Sequence, residues 1–224
     1  MNDAASIPAA KDSKTIHNAL RLEVRGLSCA RGGRTLFAGL SFSAKAGDAI
    51  EIRGPNGVGK TTLLRALAGL VRPTAGAVSL HLRDGALSEP RGLHMHFAGP
   101  EPGARSEETI RQSLRHWAAM WAAPTGAAED AIKRLGLVRP ADRAVRRLSS
   151  GERRRLGLAR LLLQDRPIWL LDEPNSGLDA AGRALCHALI TERRATGGIV
   201  IVATHDPANL EAASMIRLAP GTAA

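Results

Sequence analysis

The chain has 224 residues, 44% of them hydrophobic and 23% charged, close to globular averages, which excludes wholesale disorder and leaves room for one domain with a full core. Basic residues outnumber acidic ones 31 to 21 and the pI is near 11; the excess is largely Arg in an alanine-rich chain without Tyr, which fits a GC-rich coding bias as well as a face for nucleic acid or an anionic membrane. Two cysteines, Cys29 and Cys186, with no CxxC spacing exclude a disulfide scaffold and fit a reducing cytosol.

Residues 1–19 hold early acids and no apolar centre, so they read as a flexible extension rather than a secretory signal. No run approaches the roughly 20 apolar residues of a membrane helix, so any membrane role is borrowed from a partner. From "LRLEVRGLSC" through "LFAGLSFSAKAGDAIEIRG" short alternating strands are broken by "RGG" and "KAGD", a β-rich start. Next comes "GPNGVGKT", Gly54 to Thr61, which fits G-x-x-x-x-G-K-[ST] between a strand and a helix. Its glycines let backbone amides turn inward around phosphate oxygens, the helix dipole adds positive potential, Lys60 reaches the β/γ phosphates and Thr61 ligates magnesium. Leu63, Leu64, Leu67 and Leu70 give the following helix an apolar stripe that stops before Pro73.

"GAVSLHL" and "GLHMHFAG" are further short strands. His94 and His96 share one side of the second but lack further ligands at usable spacing. Between residues 104 and 147 the pattern turns helical: Ile110, Leu114, Trp117 and Trp121 form one face, and Ile132 and Leu135 mark a second helix. The two Trp suit a core better than a docking surface for a partner's helix. In "LSSGERRRLGLARLLL" Ser149 and Ser150 are N-cap candidates, Gly151 keeps the first turn open, and Leu156, Ala159, Leu162 and Leu163 bury one side, so the N-terminus is free to meet an anion. The arginines at 153 to 155 read as a solvated face or an interface.

"PIWLLDEP" is an apolar strand ending in Asp172 and Glu173. Ligands of open parallel sheets sit beyond the carboxyl ends of the strands, so both acids should emerge beside the phosphate loop, Asp172 to hold magnesium through water and Glu173 to polarise the attacking water. The helix "AAGRALCHALITERRA" and the strand "GIVIVATH" follow. Strands alternating with helices predict an α/β chain: a mixed β start, a parallel sheet flanked by helices, and a small helical insert.

The segments "GPNGVGKTT", "LSSGERRRLGLARLLL", "IWLLDEP", "SGLD" and "ATHD" fall in the order and spacing of ATP-binding-cassette (ABC) ATPases, and the chain resembles that P-loop family over roughly residues 20 to 218. The resemblance implies one ABC domain over 20–224, with a nucleotide-binding core in 20–103 and 148–218 and a helical subdomain in 104–147. It implies ATP and Mg2+ as cofactors, bound by Gly54, Pro55, Asn56, Gly57, Val58, Gly59, Lys60, Thr61 and Thr62, with Thr61, Asp172 and Glu101 on the metal side. It further implies a head-to-tail homodimer in which Ser149, Ser150 and Gly151 of one subunit close on the γ-phosphate held by Lys60 of the other. Asp179 would couple the two sites, and His205 would place the γ-phosphate and water near Glu173.

Three departures stand out. Glu101 sits where the family usually has Gln, Glu152 replaces the Gln that closes the five-residue signature, and the aromatic that stacks on adenine is missing, leaving Arg31 to offer its guanidinium. A carboxylate about 5 Å from a phosphate at an effective dielectric of about 20 costs about 3 kcal/mol before magnesium offsets it, so slow or partner-dependent hydrolysis is expected.

"LEVRGLSCARGGRTLFAGLSF", "HFAGPEPG", Trp169 ahead of "LLDEP", and "GGIVIVATH" resemble the ATP-binding subunit of the cytochrome c biogenesis haem exporter. That resemblance implies a peripheral subunit on the cytoplasmic face of the inner membrane, working with separate transmembrane subunits in haem delivery or release of haem-loaded chaperone. It implies no haem contact by this chain and no direct nucleic acid. The alternatives are the ATPase of another small-substrate ABC transporter, or a soluble ABC ATPase acting on nucleic acid or ribosomes, whose paired cassettes or coiled-coil insertions this sequence lacks. A degenerate, non-hydrolysing cassette is opposed by Lys60, Asp172, Glu173 and His205.

Overall fold

Strand burial separates two sheets. In the computed structural model, which describes residues 20–82, 85–86, 91–205 and 210–219, β1 (Arg21–Arg31) and β2 (Arg34–Lys45) alternate buried and more exposed side chains, as one-faced antiparallel strands do. Gly32 and Gly33, at φ 57° and 75°, make the two-residue turn that pairs Arg31 with Arg34. β3 (Ala49–Arg53) follows β2, while β4 (Ala75–Leu82) pairs with the other edge of β1 and β5 (Gly85–Ala86) lies beyond it, giving the order β2-β1-β4-β5. The extension expected over residues 1–19 lies outside the described residues.

The second sheet is parallel throughout. β6 (Met95–Ala98), β7 (Ile168–Asp172), β8 (Ile199–Thr204), β3 and β9 (Ser214–Arg217) lie side by side in that order. Every residue of β7 and β8 is buried, as expected for strands covered on both faces. Side-chain alternation sends Ile168, Leu170, Ile199, Ile201 and Ala203 into one core, shared with Leu22 and Leu27 of β1 and with Leu63, Leu64 and Leu67 of α1 (Lys60–Leu67). Trp169, Leu171, Val200 and Val202 enter a second core on the opposite face. That core also takes in α2 (Ile110–Met120), α3 (Ala127–Arg134), α4 (Ser150–Ala159) and α5 (Ala180–Ala195). Each such Leu or Ile adds about 1.5–3 kcal/mol when fully buried. The shared sheet therefore fixes the strand ends rigidly.

Local chemistry sets the helix limits. α2 begins at a capping box in which the Thr109 hydroxyl accepts from the Gln112 amide and the Gln112 side chain accepts from the Thr109 amide. α1 ends earlier than its leucine spacing predicts. Gly69 turns to φ 78°, its amide and that of Leu70 donate to Ala66 and Arg65 in a Schellman closure, and Leu70 is left 65% exposed, outside the stripe. Trp117 belongs to the core and Trp121 packs against it, both under the Arg160 guanidinium. Of His94 and His96 only the second lies on β6, which starts at Met95. His96 is buried, its Nε2–H donates to the Gln164 carbonyl at 2.9 Å, and burial pushes its pKa down to about 3. Among the described residues no group of three or more His, Cys, Asp or Glu could hold a metal ion, and no helix is long and apolar enough to cross a membrane. Cys29 and Cys186 are both buried, free thiols; burial pushes the Cys186 thiol up to about 12.

Candidate active site

The carboxyl ends of three adjacent strands converge on one cavity. β3 runs into the phosphate loop, β7 ends at Asp172, and β8 ends at Thr204; register pairs Arg53 with Thr204 and Asp172 with Ala203, so the three ends lie level. The cavity measures about 270 Å³, and its lining includes Asn56, Lys60, Thr61, Thr62, Asp172 and Glu173. Arg31 and Leu36 close the side nearest the antiparallel sheet.

The loop's shape depends on glycine at two points. Gly54, at φ 155°, leaves no room for a side chain, since a Cβ there would sit 2.5 Å from the Leu218 carbonyl oxygen and 3.0 Å from Val58 Cγ1. Gly59, at φ 116°, is the N-cap of α1 and offers no side-chain acceptor, so the first amides of the helix face the cavity uncapped. Lys60 is buried inside this loop, where its Nζ donates to the carbonyl of Gly54 at 2.8 Å and of Pro55 at 3.4 Å and lies 3.8 Å from Glu173 Oε1.

The Thr61 hydroxyl donates to Asp172 Oδ2 at 2.6 Å. Burial raises the Asp172 pKa, with the Glu173 charge adding to the rise, while the Thr61 hydrogen bond and the charges of Arg154 and Lys60 oppose it. A buried carboxylate pushed up in this way gains from a cation. Glu173 has φ 50°, unusual for a residue with a Cβ. Its amide donates to the Ala203 carbonyl at 2.8 Å, and its Oε2 is 2.9 Å from His205 Nδ1 and accepts from the Thr204 hydroxyl at 3.3 Å. Thr204 was not among the residues singled out from sequence; it precedes the expected His205 in "VATH". Together these groups form a phosphate cradle with a cation, a hydroxyl–carboxylate pair, and a carboxylate held by an imidazole: the parts needed to bind a triphosphate and deprotonate water beside it.

The remaining expected residues lie elsewhere. Ser149 is the N-cap of α4, its hydroxyl accepting from the Glu152 amide at 3.1 Å. Ser150 is exposed, and Gly151 and Gly177 are packed closely enough that a Cβ on Gly151 would sit 3.1 Å from the Gly177 carbonyl oxygen. Asp179 caps α5 through a 2.7 Å bond from the Gly182 amide. None of these lines the cavity of its own chain. Nor does Glu101, which is exposed beyond β6, where Pro100 is the residue that reaches the lining.

Two sequence expectations change. Glu152 turns back to accept from the Ser149 amide at 2.8 Å and pairs with Arg143 at 3.1 Å. Burial pushes its carboxyl up, but the Ser149 amide and Arg143 outweigh this and hold it below its ordinary value. Its charge is thus matched within the chain, and the repulsion expected of it toward a phosphate is reduced. Of the arginines at 153 to 155, expected on a solvated face or an interface, Arg154 is buried and Arg153 and Arg155 are half-buried. Arg153 donates to the Leu148 carbonyl at 2.7 Å, and Arg154 is 9% exposed, bonded to the backbone of three loops.

The ABC transporter family profile matches residues 37–176, a span that runs through the phosphate loop to Asp172, Glu173 and Ser176. The cytochrome c biogenesis ATP-binding export protein CcmA of Nitrobacter winogradskyi is 42% identical over 193 residues, covering 86% of this chain and 96% of that protein. The protein of the same name from Rhodobacter capsulatus is 44% identical over 199 residues, covering 89% of this chain and 87% of that one. Among solved structures, an ABC transporter ATP-binding protein from Pyrococcus furiosus superposes with a TM-score of 0.74 at 23% identity, covering 88% of this chain and 97% of that one, a likeness of fold.

Proposed function

The chain belongs to the ABC transporter family, among the cytochrome c biogenesis ATP-binding export proteins, and from that premise we propose that it is the ATP-hydrolysing subunit of an exporter serving cytochrome c maturation. As a family member it is an ATPase that binds ATP. In this reading two copies meet head to tail and act with separate transmembrane subunits at the cytoplasmic face of the inner membrane, powering haem delivery or release of a haem-loaded chaperone. The chain itself touches neither haem nor nucleic acid. Residues 104–147 form a helical subdomain between the two halves of the core, 20–103 and 148–218.

The chemistry follows from the residues. Backbone amides of Gly54, Asn56, Gly57, Val58 and Gly59, with Pro55 shaping the turn, wrap the β-phosphate, and Thr62 extends the row of amides into α1. Lys60 exchanges the Gly54 carbonyl for β/γ oxygens, so nucleotide replaces one set of acceptors with a charged set. The half-buried Thr61 hydroxyl and the buried Asp172 carboxylate are paired in a way that fits Mg2+; Glu101 joins them only through movement of its loop. When bound, magnesium would neutralise charge on the β and γ oxygens. Glu173 accepts the proton of the attacking water, and His205, bonded to the same carboxylate, fixes its orientation. Across the dimer, Ser149, Ser150 and Gly151 close over the partner's γ-phosphate, and Asp179 links the two sites.

The observation that carries this reading is Glu173, held between Lys60 and His205 at the lip of the loop cavity. Glu173→Gln should keep ATP affinity, cut turnover to a small residual rate and trap a dimer whose mass doubles in light scattering with ATP and magnesium. Lys60→Ala should lose ATP binding. A Glu173→Gln chain that stays monomeric, or a Lys60→Ala chain that retains affinity, contradicts the proposal.

A further inference from the structure

Arg154 is a charged side chain buried without a carboxylate in direct contact. It lies on α4, five positions after the cap residue Ser149, and its guanidinium is directed under the catalytic loops rather than into solvent. Nη1 donates to the Gly99 carbonyl at 3.0 Å and, at longer range, to the Asp172 carbonyl at 3.3 Å; Nε donates to the Ser176 carbonyl at 3.4 Å. These carbonyls belong to the loop leading to Glu101, the peptide leading into Glu173, and the turn leading to Asp179. Taking an arginine out of water for neutral acceptors is costly, so its place demands a return that packing alone does not supply.

That return is visible at the Asp172–Glu173 peptide. Its carbonyl is held by Arg154 and its amide by Ala203 at 2.8 Å, so both polar ends of the peptide plane are fixed. The next Cα is Glu173, at φ 50°. A residue with a Cβ keeps such a conformation only where its surroundings over-determine it. With the plane anchored and φ at 50°, the Cα–Cβ bond of Glu173 leaves toward the loop cavity, where its carboxylate meets Lys60 and His205.

We propose that Arg154 is a positioning residue for ATP hydrolysis, clamping the peptide that aims Glu173 and tying that aim to α4, the helix whose tip is Ser149 to Gly151. This rests on the reading of Glu173 as the base. A shift of α4 when its tip meets the partner's nucleotide then passes through one guanidinium to the base of the same chain.

Two substitutions in the full-length chain test it. Arg154→Lys keeps charge but condenses the donors onto one nitrogen that cannot reach three loops. Arg154→Met removes the charge together with its desolvation and keeps the volume, a change that buried ion sites often tolerate in stability. Both should lower kcat about tenfold to a hundredfold, the effect of a small misplacement of a catalytic group, while KM for ATP and the stabilisation by ATP against thermal unfolding stay near wild type. In a Glu173→Gln background neither should lower the residual rate further. A folded Arg154→Met chain with wild-type kcat, equal losses in kcat and ATP affinity, or a multiplied loss on top of Glu173→Gln overturns the inference. Glu173→Gln retaining wild-type turnover would instead overturn the assignment of the base.

Discussion

Replacing Thr61 by Val removes the one hydroxyl that, among the described residues, donates to the Asp172 carboxylate, which is 2% exposed, across a 2.6 Å bond. The shape changes little, but Asp172 loses its donor. A hydrogen bond to a charged group is worth about 1.5–3 kcal/mol, so the nucleotide-free chain should lose about 2 kcal/mol. For a domain of this size that is a fall in Tm of about 4–8 °C. The loss must depend on pH. Asp172 already has its pKa raised above the ordinary 3.8, burial being the main cause. Just above the ordinary value the folded chain keeps a proton that the unfolded chain releases, so this group weakens folding as pH rises through that window. Protonated, Asp172 needs no donor from Thr61; ionised, it does. The deficit of Thr61→Val should therefore be full at pH 8 and shrink as pH falls through the raised carboxyl range. Thermal unfolding of wild type, Thr61→Val, Asp172→Asn and the double variant at both ends of that range measures it. In the Asp172→Asn background the Thr61 substitution should cost little. An equal loss in both backgrounds, or a loss independent of pH, refutes the pairing as the source of the effect.

His96 gives the opposite slope. Its folded pKa of about 3 lies below the ordinary 6.5, so between those values the unfolded state binds a proton that the folded state does not, and stability falls by about 1.4 kcal/mol per pH unit as acid is added; denaturant titrations should show His96→Phe lacking that component. Gly54→Ala, whose Cβ meets the Leu218 carbonyl oxygen at 2.5 Å, should cost about 3 kcal/mol and remove stabilisation by ATP. Gly57→Ala, at φ 78° with open space around the new methyl, should cost only about 1 kcal/mol in the same thermal assay.

What was legible in the sequence was contiguous. The phosphate loop is eight consecutive residues whose glycines declare its backbone, and "IWLLD" names both a strand buried on two faces and the acid at its end, because burial and strand direction together dictate where the acid emerges. Leu70 was misplaced because leucine spacing carries no sign of the glycine-directed closure just before it. Arg154 was missed for a different reason: three arginines in a row look solvated, and its acceptors are backbone carbonyls 55, 18 and 22 residues away, which have no side-chain signature. The role of Glu152 divided between the two cases. Its spacing from Ser149 is that of a capping box, yet its pairing with Arg143 exists only once the turn ahead of α4 has folded back.

The central claim is a site completed by a second copy, and mixing two inactive variants tests it most directly. A Lys60→Ala chain has no working loop but an intact Ser149 tip; a Ser149→Arg chain has an intact loop but a blocked tip. In a head-to-tail dimer the mixed pair holds one site with both defects and one site with none, so mixing should restore ATP hydrolysis that neither chain shows alone. If the mixture stays as inactive as its components, although both chains are folded and associate, the tip of one chain does not complete the cradle of the other.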